Sequence, residues 1–263
     1  MSYTGEDHTW LICAYRESAY LEECIQSLRQ QTVPSRMIIT TSTPNTHISC
    51  LGEKYNIPVH VNPVHSGIGE DWNFALETGN TELLTIAHQD DIYEPFYTEE
   101  LLKAANRKKN IIIYFTNYGE LRNGRKVNSN RLLRVKRLVL FPVMLFPASV
   151  RARRLSLSFG NPICCPSATY RKSVIRDYPF STNYKSNMDW DMHERLSRLK
   201  GLFFYNTKIC MYHRIHREST TSETIVDHLR TEEDYEILKK FWPEKMARKW
   251  SRYYAISEKS NEV

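Results

Sequence analysis

The sequence predicts an α/β fold: a mainly parallel mixed sheet flanked by helices, with a helical C-terminal tail. Through the first 120 residues, short apolar runs alternate with stretches whose apolar residues recur at helical spacing. Parallel strands need long crossovers and helices usually supply them, so the alternation implies parallel pairing with helices on both faces. A length of 263 residues and a hydrophobic share of 41% suffice for one substantial core with appendages.

The elements follow in order. Thr9–Ala14 is an apolar run that reads as a buried strand, and Ser18–Gln31 places Leu21, Cys24, Ile25 and Leu28 on one helical face. Met37–Thr41 is a second strand, Thr46–Tyr55 a helix, and Pro58–Val61 a third short strand. Gly69–Thr78 is a helix stopped by Gly79, and Glu82–His88 is a strand that runs into a loop at Gln89–Glu94. A helix through Leu101 and Leu102 precedes a strand at Ile111–Thr116. The pattern then changes. Asn123-Gly124 signals a hairpin, and the basic, apolar stretch Arg131–Arg154 follows. Asp189–Lys200 reads as a helix ended by Gly201, Leu202–Tyr212 as a strand, and the last 40 residues as helical, opening near Thr220-x-x-Glu223 and broken at Pro243.

Charge is unevenly placed. Between Leu121 and Arg176 there are 13 Lys/Arg and no Asp/Glu, leaving 23 basic against 30 acidic residues elsewhere in a chain of net charge +6. The basicity therefore belongs to one segment, which faces water or something anionic. Met1–His8 is polar and acidic rather than basic and then apolar, so it lacks the pattern of a secretory signal and the chain reads as cytoplasmic. The longest apolar run, Leu138–Val150, is interrupted by Pro142 and Pro147 and falls short of the roughly 20 residues a bilayer requires. Cys13, Cys24, Cys50, Cys164, Cys165 and Cys210 show no paired metal or redox spacing and are expected to be reduced thiols.

In sheets of this kind ligands collect beyond the carboxyl ends of the strands, which directs attention to the polar groups there. His88-Gln89-Asp90-Asp91 follows a buried strand. It is either a solvated turn or a site for a hard divalent cation that arrives with a diphosphate, since two carboxylates are too few for a complete cage. Asp189-Trp190-Asp191 opens a helix. Asp189 is either a cap or a general base for an acceptor hydroxyl, with Trp190 presenting an apolar face to a sugar ring. His213, Arg214, His216 and Arg217 leave the last strand, and alternation points Arg214 and His216 to one side as a clamp for a metal-bound diphosphate.

These motifs together resemble the inverting family-2 glycosyltransferases of the GT-A fold, of the type that builds bacterial cell-surface polysaccharide. The resemblance spans roughly residues 9 to 220. Cys13-Ala-Tyr-Arg-Glu17 with the helix through Leu28 is similar to the family's opening strand, loop and helix. Ser66-Gly-Ile-Gly-Glu-Asp-Trp-Asn73 resembles its donor loop, His88–Asp91 its metal motif, Asp189–Asp191 its acidic base motif, and Arg214–His216 its late diphosphate-side motif.

The resemblance implies a metal-dependent, single in-line displacement from a nucleotide-diphosphate sugar, UDP-linked by expectation, to a hydroxyl of a glycan or lipid-linked acceptor. Asp189 would be the base, and Asp91 and His216 would hold Mg²⁺ or Mn²⁺. Donor contacts would come from Ala14, Tyr15, Glu17, Ser42, Thr43, Gly67, Asp71, Asn73, Gln89, Asp90 (on the ribose) and Arg214. Acceptor contacts would come from Asn161, Ser167, Trp190 and Asp191. On this reading residues 1–120 form the donor half, 121–221 the acceptor and base half, and 222–263 a helical extension. Two positions depart from the pattern: Thr40-Thr-Ser-Thr-Pro-Asn45 lacks the Asp that commonly meets uracil, and His88 stands where the metal motif has its first acid.

The segment 130–156, cationic, apolar and proline-broken, reads either as a solvated helix packed on the domain or as an element lying on an anionic membrane surface, which would make the enzyme peripheral on the inner face. Three other functions compete. Nucleic-acid binding would use the basic segment, but no nucleic-acid motif accompanies it. A sugar-nucleotide nucleotidyltransferase would need an early Gly-rich loop, and residues 13–20 contain no Gly. The third is a catalytically silent scaffold.

Overall fold

The computed structural model describes residues 2–64, 67–216 and 229–259. Ser66, Arg217 and the Thr220–Glu223 pattern lie outside the described residues. The donor-half alternation is realised as β1 (His8–Ala14), α1 (Leu21–Arg29), β2 (Arg36–Thr41), α2 (Thr46–Tyr55), β3 (Val59–Val61), α3 (Ile68–Thr78) and β4 (Leu83–His88). The two-residue β5 (Ile92–Tyr93) precedes α4 (Tyr97–Arg107), β6 (Ile111–Arg122) and β7 (Arg125–Val127). Beyond the hairpin come α5 (Arg131–Val139), α6 (Phe141–Leu145), α7 (Val150–Leu157), β8 (Ala168–Arg171), α8 (Lys172–Ile175), α9 (Met188–Ser197) and β9 (Leu202–Ile215). Two helices, α10 (Leu229–Leu238) and α11 (Glu244–Lys259), end the described chain.

The strands form one mixed sheet in the order β3-β2-β1-β4-β8-β6-β9-β5, with β7 paired to β6. Strands β3, β2, β1 and β4 are mutually parallel, as are β6 and β9, while β8 joins the two groups antiparallel to both neighbours. Chain order runs outward from β1 in one direction and then resumes at β4 on its other side. That reversal opens a crevice beyond the ends of β1 and β4, where Tyr15 and His88–Asp91 sit.

Strand β1 is apolar from Trp10 to Ala14 because both of its faces are buried. Trp10, Ile12 and Ala14 pack with α1, α2 and α4, while Leu11 packs on the other face with residues of α3 and α9. Polar positions inside the sheet are satisfied sideways: His8 Nε2 meets Thr85 Oγ1 at 2.8 Å, Thr85 meets Thr169 at 2.6 Å, and Thr169 meets Tyr97 Oη at 3.0 Å. The hairpin turn has Asn123 at φ 49° and Gly124 at φ 73°, the two left-handed residues that an Asn-Gly pair tolerates. Ile237, Leu238 and Ala247 of the C-terminal helices lie in the same core cluster as Trp190 and Leu84. All six cysteines are free thiols.

Candidate active site

Asp91 is fully buried where β4 gives way to the loop. One of its oxygens, Oδ1, accepts from the backbone N–H of Arg214 at 2.9 Å and lies 3.0 Å from His213 Nδ1. The other, Oδ2, is buried with no hydrogen-bond partner among the described residues, and so is His88 Nε2. An unpaired buried carboxylate oxygen is costly and calls for an explanation. Ligand atoms of His88, Asp90 and Asp91 lie within 4.8 Å of one another. Two oxygens and an imidazole nitrogen with two orphaned atoms suit a divalent cation that takes its remaining ligands from a diphosphate, so these residues fit such an ion. Trp72 stacks on the His88 ring at 5.2 Å, and burial lowers the His88 pKa, favouring the neutral ring that ligation requires.

The late motif closes on this loop. His216 Nε2 donates to Asp90 Oδ2 at 2.7 Å, and Arg214 Nε donates to the Asp90 carbonyl at 2.7 Å. Burial alone would raise Asp90, but the His216 hydrogen bond and the charge of His213 outweigh it and hold the carboxyl at about 2. For His213, burial is likewise overcome by the charge and hydrogen bond of Asp91, which bring it up to about 8. Two expectations change here. His216 is bonded to Asp90, and the clustered ligand atoms come from His88 instead. Arg214 is no open clamp: it is buried, pairs with Glu23 and lies 4.3 Å over the Tyr20 ring, because a guanidinium inside the protein must spend its donors on fixed partners.

Asp189, on the first turn of α9, is half-buried. Its Oδ1 accepts from the Trp190 N–H at 2.7 Å and its Oδ2 from Asn161 Nδ2 at 2.8 Å. Burial pushes its pKa up to about 6, against the lowering pull of the Trp190 N–H and of Arg230 and Lys136. Behind it runs a buried relay that sequence reading missed. Asn161 Oδ1 is 3.2 Å from His193 Nδ1, and His193 Nε2 is 3.0 Å from the Tyr170 hydroxyl. Burial lowers His193 to about 3, so the ring is neutral: Nδ1–H donates to Asn161 and Nε2 accepts from Tyr170. This fixes Asn161 with its amide N–H toward Asp189. His193 lies four residues after Asp189 on the same helix, which is the one signal that could have flagged it.

The two acidic centres share neighbours. Burial pushes the Cys164 thiol well up, and the charges of both Asp91 and Asp189 push it further. Lys136 likewise reaches both Asp189 and His213.

Donor-side positions divide into rim and frame. Tyr15 and Glu17 are exposed at the crevice mouth, and Arg16 between them adopts φ 55° with its backbone N–H on Thr43 Oγ1. Ala14 ends β1, and Gly67, at φ 145°, precedes α3. The remaining donor candidates are bonded to partners within the protein. Gln89 bonds the Tyr15 N–H and carbonyl, both at 3.0 Å, which pins the rim loop. Asn73 does the same for the main chain of Phe180, at 2.8 and 2.9 Å. Ser42 donates to Asp71 at 2.8 Å and Asn62 to its other oxygen at 2.9 Å, so a carboxylate from α3 stands behind the end of β2, the strand end that lacks its own Asp.

Three acceptor expectations fail on burial. Trp190 is 1% exposed, with its indole N–H on the Leu157 carbonyl, and cannot face a sugar. Ser167 is fully buried and donates to the Cys164 carbonyl. Asp191 is held by Arg195 and Lys240. Only Asn161 stays at the site, as the partner of Asp189.

An α/β sheet with carboxylates at a strand end and a further acid of raised pKa can hold a cation at one point and accept a proton at the other. Residues 9–179 match the model of glycosyl transferase family 2, and the chain belongs to that family: it is a glycosyltransferase of the GT-A fold. A 108-residue stretch is 27% identical to the protein of Bacillus subtilis (strain 168) named as glycosyltransferase EpsH, covering 39% of this chain and 31% of EpsH, about a third of that relative's length. The fold is similar to S. aureus TarS 1-349 in complex with UDP-GlcNAc, with a TM-score of 0.66 and 16% identity over 92% of this chain and 69% of that one. It is also similar to the mannosyltransferase PcManGT from Pyrobaculum calidifontis in complex with GDP-Man and Mn²⁺, with a TM-score of 0.67 and 11% identity over 90% and 64% of the two chains.

Proposed function

We propose that this glycosyltransferase moves a sugar from a nucleotide-diphosphate sugar to a hydroxyl of a glycan or lipid-linked glycan acceptor, with inversion, in cell-surface polysaccharide synthesis at the cytoplasmic side of the membrane. The observation that carries the reading is the pair of orphaned buried atoms, Asp91 Oδ2 and His88 Nε2, together with a half-buried acid of pKa about 6, Asp189, whose charge reaches the same thiol, Cys164, as that of Asp91. That TarS was solved with UDP-GlcNAc and PcManGT with GDP-Man supports a nucleotide-sugar donor without choosing the base. Asp71, held by Ser42 and Asn62 behind β2, supports uridine, because a fixed carboxylate can accept from the uracil N–H.

Asp91 and His88 would hold Mg²⁺ or Mn²⁺, with Asp90 beside them. When bound, the ion neutralises charge that develops on the leaving nucleotide diphosphate. The chain's own residues do the rest. Tyr15, Glu17 and Thr43 line the mouth for the nucleoside, and Asp90, kept ionised, is available to the ribose. Asp189 takes the proton of the acceptor hydroxyl at a carboxylate oxygen whose direction Asn161 sets. A pKa near 6 leaves it ionised at neutral pH and still basic enough to accept. One base suffices for a single displacement, whereas a hydrolase of retaining or inverting type needs a second carboxylate across the sugar. Asp189→Asn should lower turnover by about a thousandfold or more while leaving metal-dependent UDP binding within about twofold. Turnover near the wild-type rate would remove Asp189 as the base.

A further inference from the structure

The surface made by α5, α6 and α7 is cationic and apolar at once, and nothing in the described chain covers it. Arg131, Arg134, Val135, Leu138, Phe141 and Leu145 recur three or four residues apart along α5 and α6 and are all exposed. Leu138 is 73% exposed, and Phe146, at the end of α6, 62%. Meanwhile Leu133, Leu140 and Val143 of the same two helices are buried. The segment therefore has two apolar faces, and only one is used by the fold. On α7, Arg151 and Leu155 extend the outer face. Single exposed apolar residues are ordinary, but a run of them on adjoining helices marks an interaction surface.

The charges sort in the same way. Arg137 is spent on Asn117 and Asn128, Arg153 is buried on the carbonyls of Leu199 and Gly201, and Arg154 pairs with Glu194. Arg131, Arg134 and Arg151 make no ion pair among the described residues and stand beside the exposed apolar side chains. No acid occurs between residues 121 and 176.

We propose that α5–α7 seat the enzyme on an anionic lipid bilayer, with Leu138, Phe141, Leu145 and Phe146 in the headgroup region and the three arginines on lipid phosphates. Charge complementarity selects this occupant. A symmetric contact with a second copy would set the same arginines against each other with no acid between them. Among the described residues no helix is long and apolar enough to cross a membrane, so the contact is interfacial. Lys136, on the inner side of α5 and bonded to the buried Tyr118 hydroxyl, lies within electrostatic range of Asp189, so α5 runs near the base, which suits an acceptor carried in the same bilayer.

The test is flotation of the full chain with vesicles of phosphatidylcholine alone and of phosphatidylcholine mixed with phosphatidylglycerol, for wild type, the triple variant Arg131→Gln, Arg134→Gln, Arg151→Gln, and the triple variant Leu138→Gln, Phe141→Gln, Leu145→Gln. Wild type is expected to float only with the anionic vesicles, and each variant to partition at least about tenfold more weakly. Flotation that neither triple changes overturns the proposal, and so does no flotation at all. An apolar triple that converts a dimer to a monomer in sedimentation, with no vesicle binding by wild type, assigns the face to a second copy and overturns it equally. Calorimetric binding of UDP with Mn²⁺ is expected to be unchanged in both triples; its loss in wild type as well would count against the donor site and not against this surface.

Discussion

At the scale of single residues, the proposed chemistry rests on how Asp189 is held. Its raised pKa, about 6, has burial as its leading cause. The base works only when ionised, so kcat/KM should fall tenfold per pH unit below about 6 and level off above it. His193 touches no substrate on this account; it positions Asn161, which positions Asp189. His193→Gln should lower kcat about tenfold, leave the donor KM unchanged and displace the acidic limb of the pH profile, because the carboxylate loses its directed partner. An unchanged profile with an equal loss of stability would make the relay purely structural. Asp90, Asp91 and Asp189 draw notice as carboxylates after a buried strand or at a helix start, but position alone leaves a solvated turn and a cap open, and it is the order of the motifs along the chain that singles them out. Trp190, Ser167 and Arg214 misled for one reason: spacing shows that a residue is near a motif but not which way it faces, and all three turn into the protein.

At the scale of elements, β5 and β8 were invisible because runs of two and four residues carry no period. Yet β8 is the strand that joins the two parallel groups of the sheet. The long strands β6 and β9 were recognised but cut short, since Asn117 and Gly119 break one apolar run and His213 and Arg214 end the other while the ladder continues. The start of α9 is another feature only the fold provides. Glu233 of α10 accepts from the N–H groups of Lys185, Ser186 and Asn187 at 2.6, 3.0 and 3.0 Å, serving the chain that leads into Asp189 from 46 to 48 residues away. Hydrogen bonds from backbone to a charged acceptor contribute about 1.5–3 kcal/mol each at most, and they do not add fully. Glu233→Ala should destabilise the chain by about 2–3 kcal/mol in urea unfolding and reduce kcat more than donor affinity. A stability change below about 0.5 kcal/mol would show that the contact is incidental.

At the scale of the whole molecule, the alternation of strands and helices was enough to place the crevice beyond β1 and β4. The C-terminal tail was read as an extension, but α10 and α11 contribute Ile237, Leu238 and Ala247 to the main core, because the helices of the second half leave an apolar face that only they cover. Buried titratable groups predict how stability responds to acid. His8 and His193 are both held near 3 by burial, below their unfolded value, so the stability they contribute is complete above about 6.5 and is lost as pH falls. Between pH 7 and 5 this costs about 2 kcal/mol for each. Asp189 and His213, both raised, bind protons more tightly in the folded state and return about 1 kcal/mol each over the same range. The net is a loss of about 2 kcal/mol, so the metal-free chain should melt roughly 4–8 °C lower at pH 5 than at pH 7 by scanning calorimetry, whereas a flat or rising Tm would mean the two histidines are not buried as described.

The strand-end acids are proposed to form a metal-dependent donor site, and calorimetric titration of UDP into wild type and Asp91→Ala, each with and without Mn²⁺, tests that directly. Binding should be tight only for wild type with Mn²⁺ and weaken by at least about tenfold on removing either the ion or the Asp91 carboxylate. Equal affinity in all four titrations would contradict it.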